Sequence, residues 1–252
     1  MKKLVYLILA LQISMGSPHR RTAASGGFAG PTFNAVAYAF QGSSVTSVNT
    51  NSATVNSGNI SITNGDLLVS YGQATQGINN SLTLSSSNSA SYTSITPTQV
   101  AANSYGELGY ATSSSTSASA NFTTTVSTTQ GALANLTLDF TCATCGTPAS
   151  VTCSQATSTT PLTCSGLTLS AGAHGILGVF CASASNNART WTIGTIKGVA
   201  ATAMKTTSGT AGTGALACEY LIASGSYSSA SAVITQATTT QAMTGTFIGW
   251  PY

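Results

Sequence analysis

The sequence predicts an all-β protein, and three observations carry that prediction. Beyond residue 24 no window keeps a helical period, and short apolar or β-branched runs alternate with Gly, Asn and Ser clusters. Only 4% of the 252 residues are charged while 42% are hydrophobic, a mixture that can fill a core and is unlike a disordered chain. Finally, the two halves of the chain repeat one strand–turn–strand pattern. Together these predict a single β-sandwich of jelly-roll or Greek-key type, with about a dozen strands in two pseudo-repeated halves.

The first segment reads as an address. Met1-Lys2-Lys3 is basic, Leu4 to Met15 is apolar, and small residues Ser14 and Gly16 precede a possible cut before Ser17, with Ala23-Ala24 as a later one. This is the layout of a secretory signal peptide. Residues 1–24 are therefore expected to be leader, and residues 25–252 the β domain. The apolar run falls short of the ~20 residues of a membrane-spanning helix, so no span is expected after leader removal. The leader also explains the apparent basicity. Lys2, Lys3, Arg20 and Arg21 account for four of the seven basic residues, leaving Arg189, Lys197 and Lys205 against four carboxylates. Three scattered cations do not make a phosphate-neutralising patch, so no nucleic-acid partner is expected.

Phe28–Gln41 is an apolar strand after a Gly-rich stretch, expected to pair within its own sheet, with exchange into a neighbouring copy as the alternative. Asn64-Gly65-Asp66 separates strands Asn59–Thr63 and Leu67–Tyr71 and reads as a hairpin turn. The repeat begins here. Ile60-Ser-Ile62-Thr, a turn with Gly65 and Leu67–Tyr71 parallel Leu167-Thr-Leu169-Ser, Gly172 and Ile176–Phe180, at an offset of 107 residues. Leu108-Gly-Tyr110 parallels Cys218-Glu-Tyr220 at an offset of 110. Two such strand sets are each expected to leave an apolar face that the other covers. The final segment, Thr244 to Tyr252, reads as a last strand that places Phe247 and Trp250 at the core.

Cys142, Cys145, Cys153, Cys164, Cys181 and Cys218 are six cysteines in an apparently exported chain, so disulfides are the expected state. Four of them crowd a Thr/Ser/Pro-rich stretch, residues 141–165, which reads as an inserted loop. Cys181 and Cys218 lie in strand-like runs and suit a bridge between strands. The alternative for Cys142, Cys145, Cys153 and Cys164 is a closed zinc site, against which the ten-residue gap in the second pair counts.

Catalytic equipment is sparse. Asp66, Glu107, Asp139 and Glu219 are the whole acidic inventory. Glu107 and Glu219 fall in equivalent strands of the repeat, so as alternative catalytic residues they suggest a retaining glycosidase pair. The low-charge Ser/Thr/Tyr-rich body resembles small jelly-roll xylanases in composition, yet the residues around the two Glu do not match that family beyond Glu219-Tyr220. Each Glu otherwise reads as a strand residue facing solvent. His174 sits in a turn, with no G-x-S-x-G elbow to make a triad. No cofactor is expected. The function class expected is a secreted or cell-surface, non-enzymatic protein with a structural, adhesive or self-assembling role. Its partners are then further copies of itself or a surface glycan. A secreted carbohydrate-binding protein or glycoside hydrolase, and a virion surface protein, are the alternatives.

Overall fold

The computed structural model describes residues 31–41, 53–56, 59–74, 82–88, 91–95, 105–126, 133–142, 144–155, 161–184, 190–207, 215–236 and 242–252. The expected leader lies outside them. All described regular structure is β. The first half holds β1 (Thr32–Gln41), β2 (Ala53–Asn56), β3 (Ile60–Ile62), β4 (Leu67–Ala74), β5 (Leu82–Ser86), β6 (Thr93–Ile95), β7 (Tyr105–Thr112), β8 (Ser117–Ala120), β9 (Phe122–Val126) and β10 (Leu133–Thr141). The second holds β11 (Ala149–Gln155), β12 (Leu162–Leu169), β13 (Ile176–Ala184), β14 (Trp191–Ile196), β15 (Val199–Ala200), β16 (Ala203–Thr207), β17 (Ala215–Ala223), β18 (Tyr227–Gln236) and β19 (Met243–Pro251).

These strands form several antiparallel sheets. One five-stranded sheet runs β1-β10-β4-β7-β6 and the other runs β11-β19-β13-β17-β16. The smaller sheets are β2-β9-β5 and β3-β8 in the first half and β12-β18-β14-β15 in the second. The pairing register repeats as well as the order. Leu133 faces Ala74 and Leu67 faces Thr112; shifted by 110 residues, Met243 faces Ala184 and Leu177 faces Ile222. In the outer sheets Ile60 faces Ala120 and Ile62 faces Ser117, while Leu167 faces Ala230 and Leu169 faces Tyr227. The offset is thus 107 before the β3–β4 turn and 110 after it. The second copy of that turn is three residues longer.

Three apolar clusters explain why the sheets stack. Val69, Tyr71, Leu108, Leu136 and Phe140 of the first five-stranded sheet meet Leu177, Val179, Cys181, Leu216, Tyr220 and Trp250 of the second. The opposite face of the second sheet carries Phe180, Ala217 and Phe247 and packs on Leu162, Ile196, Tyr227 and Ile234 of the outer sheet. Leu68 and Ala111, on the opposite face of the first, pack on Ile62 and Phe122. The order is outer sheets, five-stranded sheet, five-stranded sheet, outer sheet. Both central sheets are therefore covered on both faces, and β4 and β13 are buried along their whole length. This differs from the expected dozen strands in one pair of sheets. The two strand sets do cover each other, but each also carries its own outer layer.

Other expectations need correction. Residues 141–165 are not an inserted loop, because β11 and the start of β12 lie within them, and β11 pairs with β19 from Ala149 to Gln155. Asn64-Gly65-Asp66 does turn the chain, with Asp66 N–H donating to Thr63 O at 3.1 Å, but it joins two layers instead of closing a hairpin. From Thr32 to Gln41 the first strand pairs with β10 in its own sheet.

Candidate functional site

The four carboxylates are all buried: Asp66 is 3% exposed, Glu107 4%, Asp139 0% and Glu219 0%. Asp66 serves its own turn. Its Oδ2 accepts the Thr63 N–H at 2.6 Å, and Thr141 Oγ1 donates to its Oδ1 at 3.4 Å. Glu107 and Asp139 belong to the interior between the first five-stranded sheet and its outer sheets. Glu107 lies opposite Gly72, which lies opposite Asn135, and Asn135 Nδ2 donates to Thr124 Oγ1 of β9 at 2.9 Å. That row points at the outer layer. Asp139 lies opposite Leu68, four residues along β4 from the Glu107 row and two strands across, a separation of roughly 15 Å.

A line of hydroxyls and amides crosses this interior. Tyr92 and Ser70 are 3.2 Å apart, Ser70 and Thr137 2.7 Å, and Thr137 donates to Asn135 Oδ1 at 3.2 Å. Burial pushes the Tyr92 phenol up to about 12, so it stays neutral. The line is internally satisfied and holds the two layers in register.

Glu219 lies in the other interior. Its row on the second central sheet is Met204, Glu219, Phe180 and Phe247, all facing β12-β18-β14-β15. Glu107 and Glu219 therefore point away from each other across two packed sheets. Stacked sheets lie ~10 Å apart, whereas a retaining pair needs ~5–5.5 Å. The strands are equivalent, as expected, but the two carboxyls do not share a cleft. Nor does either face solvent. Glu219 Oε2 accepts the Gly194 N–H at 2.7 Å, Oε1 has no hydrogen-bond partner among the described residues, and burial pushes the carboxyl up to about 7. The sequence did carry a signal for this. In Ala215-Leu-Ala-Cys-Glu-Tyr-Leu-Ile222 a single charge interrupts an otherwise apolar run.

The six cysteines form three disulfides, Cys142–Cys145, Cys153–Cys164 and Cys181–Cys218, so the four candidate zinc thiolates are engaged with one another. The last bridge joins β13 to β17 at directly opposed positions, with Cα atoms 4.1 Å apart. Three bridges suit an oxidising, extracellular-type environment.

One cavity, of about 360 Å³, opens beside the longer β12–β13 turn and is lined by Thr144, Gly146, Gly172, Ala173, His174, Pro251 and Tyr252. The turn is tied down by His174 N–H donating to Tyr252 O at 2.9 Å and Gly146 N–H donating to Pro251 O at 2.8 Å. A Cβ at Gly172 would lie 2.3 Å from Tyr252 O, so only glycine lets the turn close here. The His174 and Tyr252 rings stack at 6.4 Å. These lining residues include no Asp, Glu, Lys or Arg. The three extra residues of the second copy build this feature, and from the sequence alone they read as a plain turn. Compared with protein-family models, curated proteins and solved structures, the chain has no match.

Proposed function

We propose that the protein works outside the cytoplasm as a non-enzymatic structural module that associates with further copies of itself, and that its fold is two tandem jelly rolls packed back to back. The strand orders β1-β10-β4-β7 with β2-β9-β5, and their recurrence 110 residues later, support the jelly-roll reading. One observation carries the functional reading. Every carboxylate in the chain is buried, and Lys197 and Lys205 are the only ionisable side chains other than His174 that the described surface exposes. Such a Ser/Thr surface lacks the like-charge repulsion that keeps ordinary proteins apart in solution.

Sedimentation velocity across a concentration series tests it. The expected result is a rising share of larger species, unchanged from ~0.05 to ~1 M salt because few charges are there to screen. Placing carboxylates on the exposed face of β12 with Thr163→Glu and Ser165→Glu is expected to return the protein to monomers. Monomers at every concentration would overturn the reading. The cavity beside His174 favours a second reading, in which the module holds a surface glycan through uncharged contacts.

A further inference from the structure

We infer that Glu219 is a protonation-dependent latch, holding the edge hairpin β14–β15 of the outer sheet onto the central sheet when neutral and releasing it when ionised. The geometry is specific. β14 departs from regular pairing with β18 between Thr192 and Thr195, and Gly194 stands at that irregularity. A Cβ there would lie 1.6 Å from Val233 O, so the close approach requires glycine. The irregularity frees the Gly194 N–H from the β14–β18 ladder and turns it inward to Glu219 Oε2. This bond is a direct polar tie between the hairpin and β17. Beyond it, β15 is the sheet's edge and pairs with β14 at Thr195–Ala200 and Ile196–Val199, with Ala201 N–H donating to Gly194 O at 3.1 Å and Thr202 N–H to Tyr220 O of β17 at 2.7 Å just past it. The two large apolar side chains exposed on the described surface, Ile193 and Val199, both belong to this hairpin.

Among the described residues the Gly194 N–H is the donor that reaches Glu219, and the buried Trp191 Nε1–H and Tyr227 O–H of the facing layer do not bond to it. Met204 of β16, Phe180 of β13 and Phe247 of β19 flank it in the sheet. From the facing layer, β12 brings Leu162, Cys164 and Leu167, β14 brings Trp191 and Ile196, and β18 brings Tyr227, Ala232 and Ile234. Tyr227 is the one titratable member of that set, and burial pushes its phenol up to about 12, so it is neutral. The two cations among the described residues are outside. Lys197 Nζ lies 5.5 Å from the Tyr227 ring centroid and donates to Ser226 O at 2.9 Å, and Lys205 lies opposite Cys218, whose side chain faces the other way. An anion at Glu219 keeps one good hydrogen bond and leaves Oε1 buried and unsatisfied. Opening the hairpin admits water to both oxygens.

The direction follows from linkage. Burial holds the carboxyl up at about 7 in the closed state, and it returns to its ordinary value of about 4.5 once solvated. Closure is therefore strongest below about pH 4.5, weakens as pH rises towards 7, and levels off above it. Between pH 6 and pH 8 the open population is expected to grow on the order of tenfold.

Hydrogen exchange of the intact, disulfide-bonded protein tests this, read at the amides of Ile193, Gly194 and Thr195 after correction for intrinsic pH dependence. The wild type is expected to lose about tenfold of protection there from pH 6 to pH 8 while β13 and β19 keep theirs. Glu219→Gln, which mimics the neutral acid, is expected to stay closed with a flat profile. His174→Gln, a substitution outside the hairpin and the interior it covers, is expected to behave as wild type. A second readout in the unmodified protein is the Glu219 carboxyl carbon shift, expected to titrate near neutrality. A midpoint in the ordinary carboxylate range, or a wild-type profile in Glu219→Gln, would overturn the latch and leave the self-association reading untouched.

Discussion

Removing the Cys181–Cys218 bridge is expected to destabilise the protein most among the three. The two half-cystines are 37 residues apart in sequence, directly opposed on β13 and β17, and 0% and 1% exposed in the cluster between the central sheets. Loop-closure entropy for that separation amounts to about 4 kcal/mol. The same relation assigns about 3 kcal/mol to Cys153–Cys164, separated by 11, and under about 2 kcal/mol to Cys142–Cys145, separated by 3. The variant Cys181→Ala/Cys218→Ala also loses sulfur packing in a two-sided core, which adds to the entropic term. Its melting temperature is expected to fall by roughly 8–16 °C, at ~2–4 °C per kcal/mol for a chain of this size. Guanidinium titration followed by tryptophan fluorescence reads it directly, since Trp250 lies in the same cluster. Cys142→Ala/Cys145→Ala is the control. A loss below about 1 kcal/mol, or a loss smaller than the control's, would refute the argument that the bridge constrains the chain across the central sheets.

Two further outcomes are expected. If the module holds a glycan in the cavity, its retention on immobilised glycans is displaced by free sugar and weakened at least tenfold by His174→Ala, an exposed position whose loss leaves the melt unchanged; retention unaffected by that substitution removes the cavity from the reading. Tyr71 and Leu108 are the register equivalents of Cys181 and Cys218, so Tyr71→Cys/Leu108→Cys is expected to form a fourth bridge, seen as a resistant linkage in non-reducing peptide mapping.

The β class and the repeat were legible in the sequence because each rests on local pattern. Both offsets seen in the chain, 107 and 110, recur in the pairing registers, and the difference between them locates the longer turn. What the sequence hid follows from covering a strand on both faces. Alternation marks a strand with one wet side, as in β9, but Leu67–Ala74 has none to mark, and in β17 the apolar run around Glu219 is the one sign that it is buried. The Cys-rich stretch failed for the opposite reason. β11 is an edge strand of small and polar residues, and its half-exposed pattern looks like a loop until β19 is placed beside it. The cavity was out of reach because it is made by three separated segments meeting at one end of the fold.

The two interiors show how far equivalent positions have separated in chemistry. Ser70, Asn135, Thr137 and Asp139 in the first half correspond by register to Phe180, Gly245, Phe247 and Gly249 in the second. The first interior is bridged by hydrogen bonds and the second by aromatic contacts such as Phe180–Phe247 and Tyr227–Phe247. The polar line of the first interior joins Tyr92, Ser70, Thr137, Asn135 and Thr124 to one another. An aromatic interior offers Glu219 one backbone N–H and little else. Equivalent central sheets thus enclose a hydrogen-bonded interior in one copy and an aromatic one, around Glu219, in the other. The difference lies in which residues fill the same register positions.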